Sequence, residues 1–418
     1  MQNDMSVVLR AGKLLIESGA EVYRVEDTMK HFAKALQIEN FEAYVVSSSI
    51  IASGINRYGK QEAKVCNTDG VTANLGRLEA VNNLSRQIAK QDLVSPEEIV
   101  KQLDLIEHQK DYSLLVTLIS YFCGAGSFSL ALGSSLLDSF SAAVTGLILG
   151  YFLNLMESRI HTGFLLTILG SSVVALSANL LYFSGLGEHR SIIILGALMV
   201  MVPGAAFVNS VREFSQNNFS TGLALIMSAL LICISISAGV AITIEIIPFA
   251  EQMTGSFSGV PNTILEIIIR TLMAGLGTIA FSILYHVPKR YFLDLGILGA
   301  ISWMLYLILW QQFHMDAIAV FFPGLFITYF SRLLAAKRKC PATVFLATSM
   351  FPLIPGLSFY RAVYFLLTGA DALAMEYFRS CFVTAFTIAI AISIVQQIPL
   401  SFFIRRKMIK SFSIYLTK

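Results

Sequence analysis

The stretch MVPGAAFVNSVREF, residues 201–214, ends an apolar run with a Pro-Gly pair and then places polar side chains behind it. A second stretch, LIPGLSFYRAVYF at 353–365, repeats this pattern. When the Pro-Gly pairs at 203–204 and 355–356 are superimposed, a phenylalanine coincides four positions after each proline and a valine eight positions after it. The same helix-breaking element has therefore been used twice in one chain.

Charge divides the chain near residue 112. Of its 418 residues, 55% are hydrophobic and only 14% are charged, whereas an ordinary soluble domain has roughly 25% charged residues. Residues 1–112 hold 13 Lys/Arg and 16 Asp/Glu, while residues 113–418 hold the remaining 17 and 11. This distribution predicts a polar front domain followed by a membrane body.

The front domain, 1–112, is predicted to be a small α+β domain. Apolar residues recur at helical spacing before and after Gly19, and two Val/Ile/Tyr-rich runs, 41–55 and 61–68, indicate strands. The charged N-terminus lacks the apolar core of a secretory signal, which favours a cytoplasmic domain. The acid-rich run GAEVYRVED, 19–27, is interpreted as a helix N-terminus whose acids complement the helix dipole.

The body holds ten apolar segments of about the 20 residues needed to cross a bilayer. They form two predicted five-helix halves, 113–247 and 263–404, followed by a basic tail, 405–418. The predicted spans are 113–132, 136–156, 162–183, 191–210, 219–247, 263–285, 291–310, 315–333, 342–367 and 379–404.

The distribution of lysine and arginine predicts the orientation of these spans. The connections that would lie on the same side as the front domain carry most of the loop Lys and Arg, and so does the tail. Because basic loops stay in the cytoplasm, both termini are expected to be cytoplasmic. The Pro-Gly pairs fall on the fourth and ninth spans, which are five spans apart and must run in opposite directions. An inverted repeat with interrupted helices at matching places indicates the binding site of a secondary transporter.

Proline removes a backbone donor and glycine relaxes the backbone, so a helix can open at Pro203-Gly204 and at Pro355-Gly356. Each helix that follows begins with free N–H groups and a positive dipole end, which suit a carboxylate. The predicted substrate site combines both pairs with polar neighbours in the same stretches. These neighbours are Asn209, Tyr360 and Arg361.

The charged residues inside or near the spans have separate interpretations. Arg361 is a buried-arginine candidate for holding a substrate carboxylate, and pairing with an unidentified acid is an equal alternative. Arg212 and Glu213 are candidates for coupling to a proton, although an interfacial loop explains them as well. Glu266 and Arg270 are four residues apart and are interpreted as a structural ion pair.

Other function classes have little support in the sequence. The five cysteines lack metal-ligand spacing, and no metal, cofactor or catalytic residue is assigned. No hydrolase or phosphate-loop motif occurs, and the net acidic front domain argues against nucleic acid. The alternative is that the front domain is a membrane-anchored enzyme or sensor, yet an anchor does not require duplicated helix breaks. The oligomeric state is left open, including a homo-oligomer.

The residues resemble the bacterial threonine/serine exporter family over nearly the whole chain and in the same order. In some members of that family the two halves are separate chains, and one such system is linked to succinate export; here the halves look fused. The stretches that carry the resemblance are GAEVYRVEDTM (19–29), NLGRLEAVNNLSRQI (74–88), MVPGAAFVNSVREFSQNNFSTGLA (201–224), YHVPKRYFLDLGILGAISWMLY (285–306) and KCPATVFLATSMFPLIPGLSFYRAV (339–363).

The resemblance implies export of small hydroxy amino acids through ten spans of the bacterial plasma (inner) membrane, driven by the proton gradient. After the first Pro-Gly the family tends to show an Asn and an Arg-Asp pair. Here Asn209 and Arg212 match, but Glu213 stands in place of the aspartate. Threonine and serine therefore remain open against a dicarboxylate such as succinate, since either brings a carboxylate.

Overall fold

A computed structural model describes residues 4–70, 73–90, 95–247, 261, 263–399 and 402. The predicted tail, 405–418, lies outside the described residues, and so does most of the linker between the two predicted halves. The described chain is mostly helical.

The polar front of the chain contains four helices and one sheet. Three antiparallel strands pair in the order β1-β2-β3. The turn between β2 and β3 is set by Asn56, whose side-chain oxygen accepts from the backbone N–H of Tyr58 (3.0 Å) and Lys60 (3.1 Å), and by Gly59 at φ +76°. The elements are α1 (Asp4–Glu17), α2 (Val22–Ala35), β1 (Glu39–Val46), β2 (Ser49–Ile55), β3 (Gln61–Asn67), α3 (Leu75–Ala89) and α4 (Pro96–Glu107).

Twelve further helices follow among the described residues. They are α5 (Leu114–Leu132), α6 (Leu136–Met156), α7 (Gly163–Phe183), α8 (Arg190–Leu198), α9 (Gly204–Ser215), α10 (Phe219–Ile246), α11 (Ile264–Leu284), α12 (Phe292–Phe313), α13 (Asp316–Arg338), α14 (Ala342–Ser349), α15 (Gly356–Leu367) and α16 (Asp371–Gln396).

Within the described ranges, eight helices are long and apolar enough to cross a membrane. The count is nine if α14 and residues 351–367, which bend by 41°, form one span. Only 39–50% of the residues in each apolar stretch are buried inside the protein, so a large apolar surface faces outward, as lipid requires. The chain is therefore a polytopic α-helical membrane protein.

Two of the ten predicted spans differ from a single straight helix. The fourth, 191–210, consists of the two short helices α8 and α9 and does not meet the criterion for a span. The ninth, 342–367, is the bent pair. The last helix begins at Asp371 rather than 379, because Gly369 at φ +78° ends α15 and the chain resumes helical structure at once.

The front domain shares an apolar core with the second part of the membrane body. One buried cluster joins its helices to Tyr291, Leu295, Val344 and Phe345, and in the described chain it includes no residue of 113–247. Polar contacts support this junction. The backbone N–H of Leu75 donates to the Tyr285 carbonyl (3.0 Å), the Tyr291 hydroxyl donates to Glu79 (2.8 Å), and Arg290 pairs with Glu79.

Candidate functional site

The first helix break lies between α8 and α9. Helix α8 ends at Leu198 and α9 begins at Gly204, with Pro203 in the N-cap position at φ −79°, ψ 57°. The N–H of Gly204 donates to the carbonyl of Val202 at 2.8 Å, which makes a tight three-residue turn around the proline. Because proline has no N–H, it can occupy the centre of this turn without losing a backbone hydrogen bond.

The second break repeats this backbone geometry. A 3₁₀ turn, Phe351–Leu353, leads to Pro355, which is the N-cap of α15 at φ −77°, ψ 42°. The N–H of Gly356 donates to the carbonyl of Ile354 at 2.8 Å. Pro203 and Pro355, the N-cap residues of α9 and α15, make no side-chain cap to the first N–H groups of these helices.

The two breaks pack directly against each other. A Cβ added to Gly356 would lie 2.1 Å from Cγ1 of Val202, and one added to Gly204 would lie 3.0 Å from Cδ1 of Ile354. Val202 and Ile354 are equivalent, because each stands two residues before its glycine. Each break thus places its branched side chain on the glycine of the other, which is the contact pattern of a local two-fold relation. At Gly356 a Cβ would overlap Val202, so this position requires glycine.

A small apolar cavity lies at the crossing. Its volume is about 10 Å³, which is room for roughly one water molecule. The rings of Phe207 and Phe359, another equivalent pair, stand 6.3 Å apart between centroids. The lining side chains carry no charge, and the wall of the cavity is apolar. The lining residues are Val202, Pro203, Phe207, Cys233, Ile354, Pro355, Gly356 and Phe359.

The polar residues of the predicted substrate site lie outside this lining. Arg361 donates through Nη1 to the Tyr377 hydroxyl at 3.2 Å, and its guanidinium lies 5.2 Å from the centre of the same ring. Tyr360 is fully buried, and its hydroxyl has no hydrogen-bond partner in the described part of the chain. The side-chain oxygen of Asn209 is likewise buried and without a partner there. The structure brings the two Pro-Gly pairs together but leaves these three side chains one to two helical turns away.

The end of α9 meets the front domain. Arg212 is buried and pairs with the carboxylate of Glu21, which is also buried. Glu213 accepts from the backbone N–H of Val22 at 3.0 Å and from the side chain of Asn218 at 2.7 Å. Both residues predicted to couple to protons are therefore engaged where the membrane body touches the front domain.

Glu21 is the residue that sequence reasoning missed. Besides Arg212, it pairs with Arg24 at 2.9 Å and accepts from the Thr343 hydroxyl at 2.8 Å. Burial by itself raises the pKa of this carboxyl, but the two guanidinium groups and the hydrogen bonds outweigh burial and lower the pKa to about 2. Glu21 is the N-cap of α2 but makes no side-chain cap. The helix dipole therefore explains only part of the acid-rich run 19–27, because Glu21 also pairs with two arginines.

Two other groups of charged residues lie elsewhere in the membrane body. Arg270 pairs with Glu266 one turn earlier on α11, as the spacing of these residues predicts. Asp138, Glu188 and His189 lie close enough together to hold a metal ion. However, the Asp138 carboxylate accepts from the backbone N–H groups of Glu188 (2.8 Å) and His189 (3.0 Å), so its role is to anchor the loop before α8.

These features define an integral membrane protein with paired helix breaks inside its helical body. The family model described as "Putative threonine/serine exporter" matches residues 6–247, and the model described as "Threonine/Serine exporter, ThrE" matches residues 270–398. The chain belongs to the threonine/serine exporter family, with both parts fused in one chain. This family membership groups it with transporters rather than enzymes.

The named relatives are distant, and two of them match most of the chain. The "Probable threonine/serine exporter" of Mycobacterium tuberculosis is 21% identical over 86% of this chain and 69% of its own length. The "Threonine/serine exporter" of Corynebacterium glutamicum is 22% identical over 92% of this chain and 80% of its own length. The "Pheromone-regulated membrane protein 10" of Yarrowia lipolytica is 23% identical over 51% of this chain and 18% of its own length. No solved structure matches the chain.

Proposed function

We propose that this protein is a secondary exporter of small hydroxy amino acids, threonine and serine, across the bacterial plasma (inner) membrane in exchange for protons. The substrate carboxylate binds where the two Pro-Gly breaks cross. The single observation that carries this proposal is the reciprocal packing of Val202 on Gly356 and of Ile354 on Gly204. It joins the start of two helices at one point inside the membrane body.

The chemistry of the crossing supports an anionic group. Helices α9 and α15 both begin there without side-chain caps, and a helix N-terminus offers N–H donors and a positive dipole end. Within a bilayer such irregular backbone is tolerated only inside protein or beside a water-filled cavity. The uncharged lining favours a substrate with one carboxylate over a dicarboxylate, whose second charge would require a further cation. Succinate is therefore the second candidate, and the exporter names make a membrane-anchored enzyme or sensor the weakest.

The proposed mechanism uses two inverted five-helix halves, 113–247 and 263–404, with ten crossings and both termini in the cytoplasm. Helix α9 ends at the front domain, where α14 begins, since Arg212 and Thr343 both contact Glu21. The polypeptide thus leaves one break and approaches the other from the same side, which supports opposite directions. The small cavity corresponds to a closed conformation, and substrate enters when the halves separate.

Proton exchange is assigned to the end of α9. Glu213 is a buried carboxylate nine residues after Gly204, and both of its oxygens accept hydrogen bonds. Protonation removes the charge that holds Val22 and Asn218, so it would loosen this contact. Arg212 contributes by its charge beside Glu213.

Counterflow in proteoliposomes tests the proposal. Vesicles loaded with unlabelled threonine, serine or succinate are diluted into the labelled compound, with and without a pH gradient. We expect threonine and serine to accumulate, and a gradient that is acidic on the side opposite the substrate to increase the rate. Accumulation of succinate alone would replace the substrate, and accumulation of none of the three compounds would refute the proposed function.

A further inference from the structure

We propose that the front domain is the inner gate of this transporter and that Glu21 is the latch that holds the two membrane halves together on that side. This inference goes beyond the exporter function proposed above. It rests on that function, because a gate has a role only in a protein that transports a substrate. It assigns a mechanical role to a domain that contributes no residue to the cavity between the helix breaks.

The front domain is attached to the two halves by different kinds of contact. Its apolar core continues into the second half through Val287, Tyr291 and Phe345, and none of the cluster's described residues comes from 113–247. It meets the first half through polar contacts, at Arg212 and Glu213. Apolar burial of this extent resists separation, whereas an ion pair and a hydrogen bond can exchange for contacts with water. The front domain is therefore fixed to the second half by apolar packing and is held to the first half by polar contacts.

Glu21 joins the halves in one side chain. Its carboxylate contacts Arg212 at the end of α9, in the first half, and Thr343 at the start of α14, in the second half. Arg212 also donates to the Thr343 hydroxyl at 3.4 Å, so the three groups form a closed triangle. Glu21 is 2% exposed, which excludes water from the triangle.

This triangle lies on the helices that form the breaks. Arg212 follows Gly204 by eight residues, about 12 Å along α9, and Thr343 lies in the first turn of α14, which leads to Pro355. Movement of the latch can thus reach the first break along α9, and the second break along α14 and the 3₁₀ turn that follows it. The cavity at the breaks is closed in this structure, in agreement with a latch that is engaged.

An open groove lies beside the latch. Its volume is about 280 Å³, and it runs between α2 and the loop after α9. Its walls are formed by Val22, Tyr23, Glu26, Gln216 and Asn218. Glu26 is partly exposed and makes no hydrogen bond or ion pair within the described residues, so it provides a matched control on the same helix as the latch.

The test uses Cys233 as a reporter, because it lines the cavity between the breaks and is 0% exposed. The other four cysteines are replaced in the full-length protein, and labelling by a membrane-impermeant maleimide is measured in inside-out vesicles and in intact cells. Glu21→Gln removes the charge but keeps the shape, and it leaves the buried Arg212 and the partly exposed Arg24 without their carboxylate partner. We expect labelling from the inner face to accelerate at least tenfold, with no change from the outer face or in Glu26→Gln.

A milder variant tests the latch even if Glu21→Gln fails to fold. Thr343→Val keeps the Arg212–Glu21 pair and removes only the bond to the second half, so we expect an increase of about threefold from the inner face. If Glu21→Gln leaves labelling unchanged, or accelerates it equally from both faces, the latch is refuted. Labelling of Cys233 needs no substrate, so it can be measured whether or not the protein transports anything. If Glu21→Gln accelerates labelling as expected but counterflow of threonine, serine and succinate is absent, the proposed function is refuted and the latch is not.

Discussion

The helices that follow the two Pro-Gly breaks begin alike and end differently. Both α9 and α15 start with a glycine whose N–H closes a tight turn around proline. At the matching later positions, however, α9 carries Arg212 and Glu213, and α15 carries Tyr364 and Phe365. The first pair bonds to the front domain, and the second pair packs in an apolar cluster. Shared backbone geometry builds the proposed site, and unshared side chains decide which helix the front domain can hold.

The largest effect is expected where the two helices carry aligned but unlike residues. Arg361 and Asn209 stand at matching positions, and only Arg361 brings a positive charge to a substrate carboxylate. In folded, membrane-inserted protein, Arg361→Ala should abolish threonine counterflow, whereas Asn209→Ala should slow it a few-fold. Arg379→Ala, at an exposed arginine of α16, serves as the control. Unimpaired efflux in the Arg361 variant would remove that residue from the mechanism.

A smaller effect is expected when the close packing of the two Pro-Gly breaks, which α9 and α15 share, is disturbed. Gly356→Ala places a methyl group 2.1 Å from Val202, so the breaks must move apart at a cost of about 1–3 kcal/mol. We expect counterflow to fall about tenfold and the thermal midpoint to drop. The double variant Gly356→Ala/Val202→Ala should recover part of the counterflow rate and part of the thermal midpoint.

Gly163→Ala is the matched control, because nothing lies within 4 Å of a Cβ added at that glycine. If Gly356→Ala behaves like Gly163→Ala in both assays, the close crossing of the breaks does not exist in the membrane.

The smallest effect concerns pH at the contact that only α9 makes. The pKa of Glu21 is about 2 in the folded protein, below the ordinary glutamate value of about 4.3. Its stabilising contribution is therefore fully present above about pH 4.3 and is lost as the pH falls toward 2. The charged or titratable groups that face it are Tyr23, Arg24, Arg212 and Glu213.

In a Glu213→Gln background, which removes the neighbouring carboxyl whose pKa is raised, we expect the difference in thermal stability that Glu21→Gln makes to stay constant from pH 7 to 5. It should shrink at lower pH, by up to about 3 kcal/mol in total. A difference that already changes between pH 7 and 5 would mean that Glu21 is not held as an ionised carboxylate.

Much of the local structure follows from residues that are close in sequence. The apolar segments of about 20 residues become long helices, because a bilayer-spanning segment must satisfy its backbone groups internally. The two Pro-Gly pairs end one helix and begin another, since proline lacks the donor that a continuing helix requires. Family membership was also predicted from the quoted stretches and is confirmed by the family models.

The candidate site was only partly predictable. Repetition in the sequence identified Pro203 and Pro355, but nothing local indicates that Val202 rests on Gly356, because 154 positions separate them. Cys233 is one of the five cysteines to which the sequence assigned no role, yet it lines the cavity. The 41° angle of the bend within 342–367 was not predictable either, because a hydropathy pattern does not report helix packing.

By itself, the sequence determined where this protein is apolar, where its helices must break and which family it belongs to. These properties follow from short-range chemistry: side-chain polarity, the missing N–H of proline and the missing Cβ of glycine. Only the tertiary structure decided that the breaks cross, that Glu21 meets Arg212 from 191 positions away in the chain and that the apolar core of residues 4–107 continues into Tyr291 and Phe345. The partner of a buried charge is set by which surfaces pack together, and that depends on the whole chain.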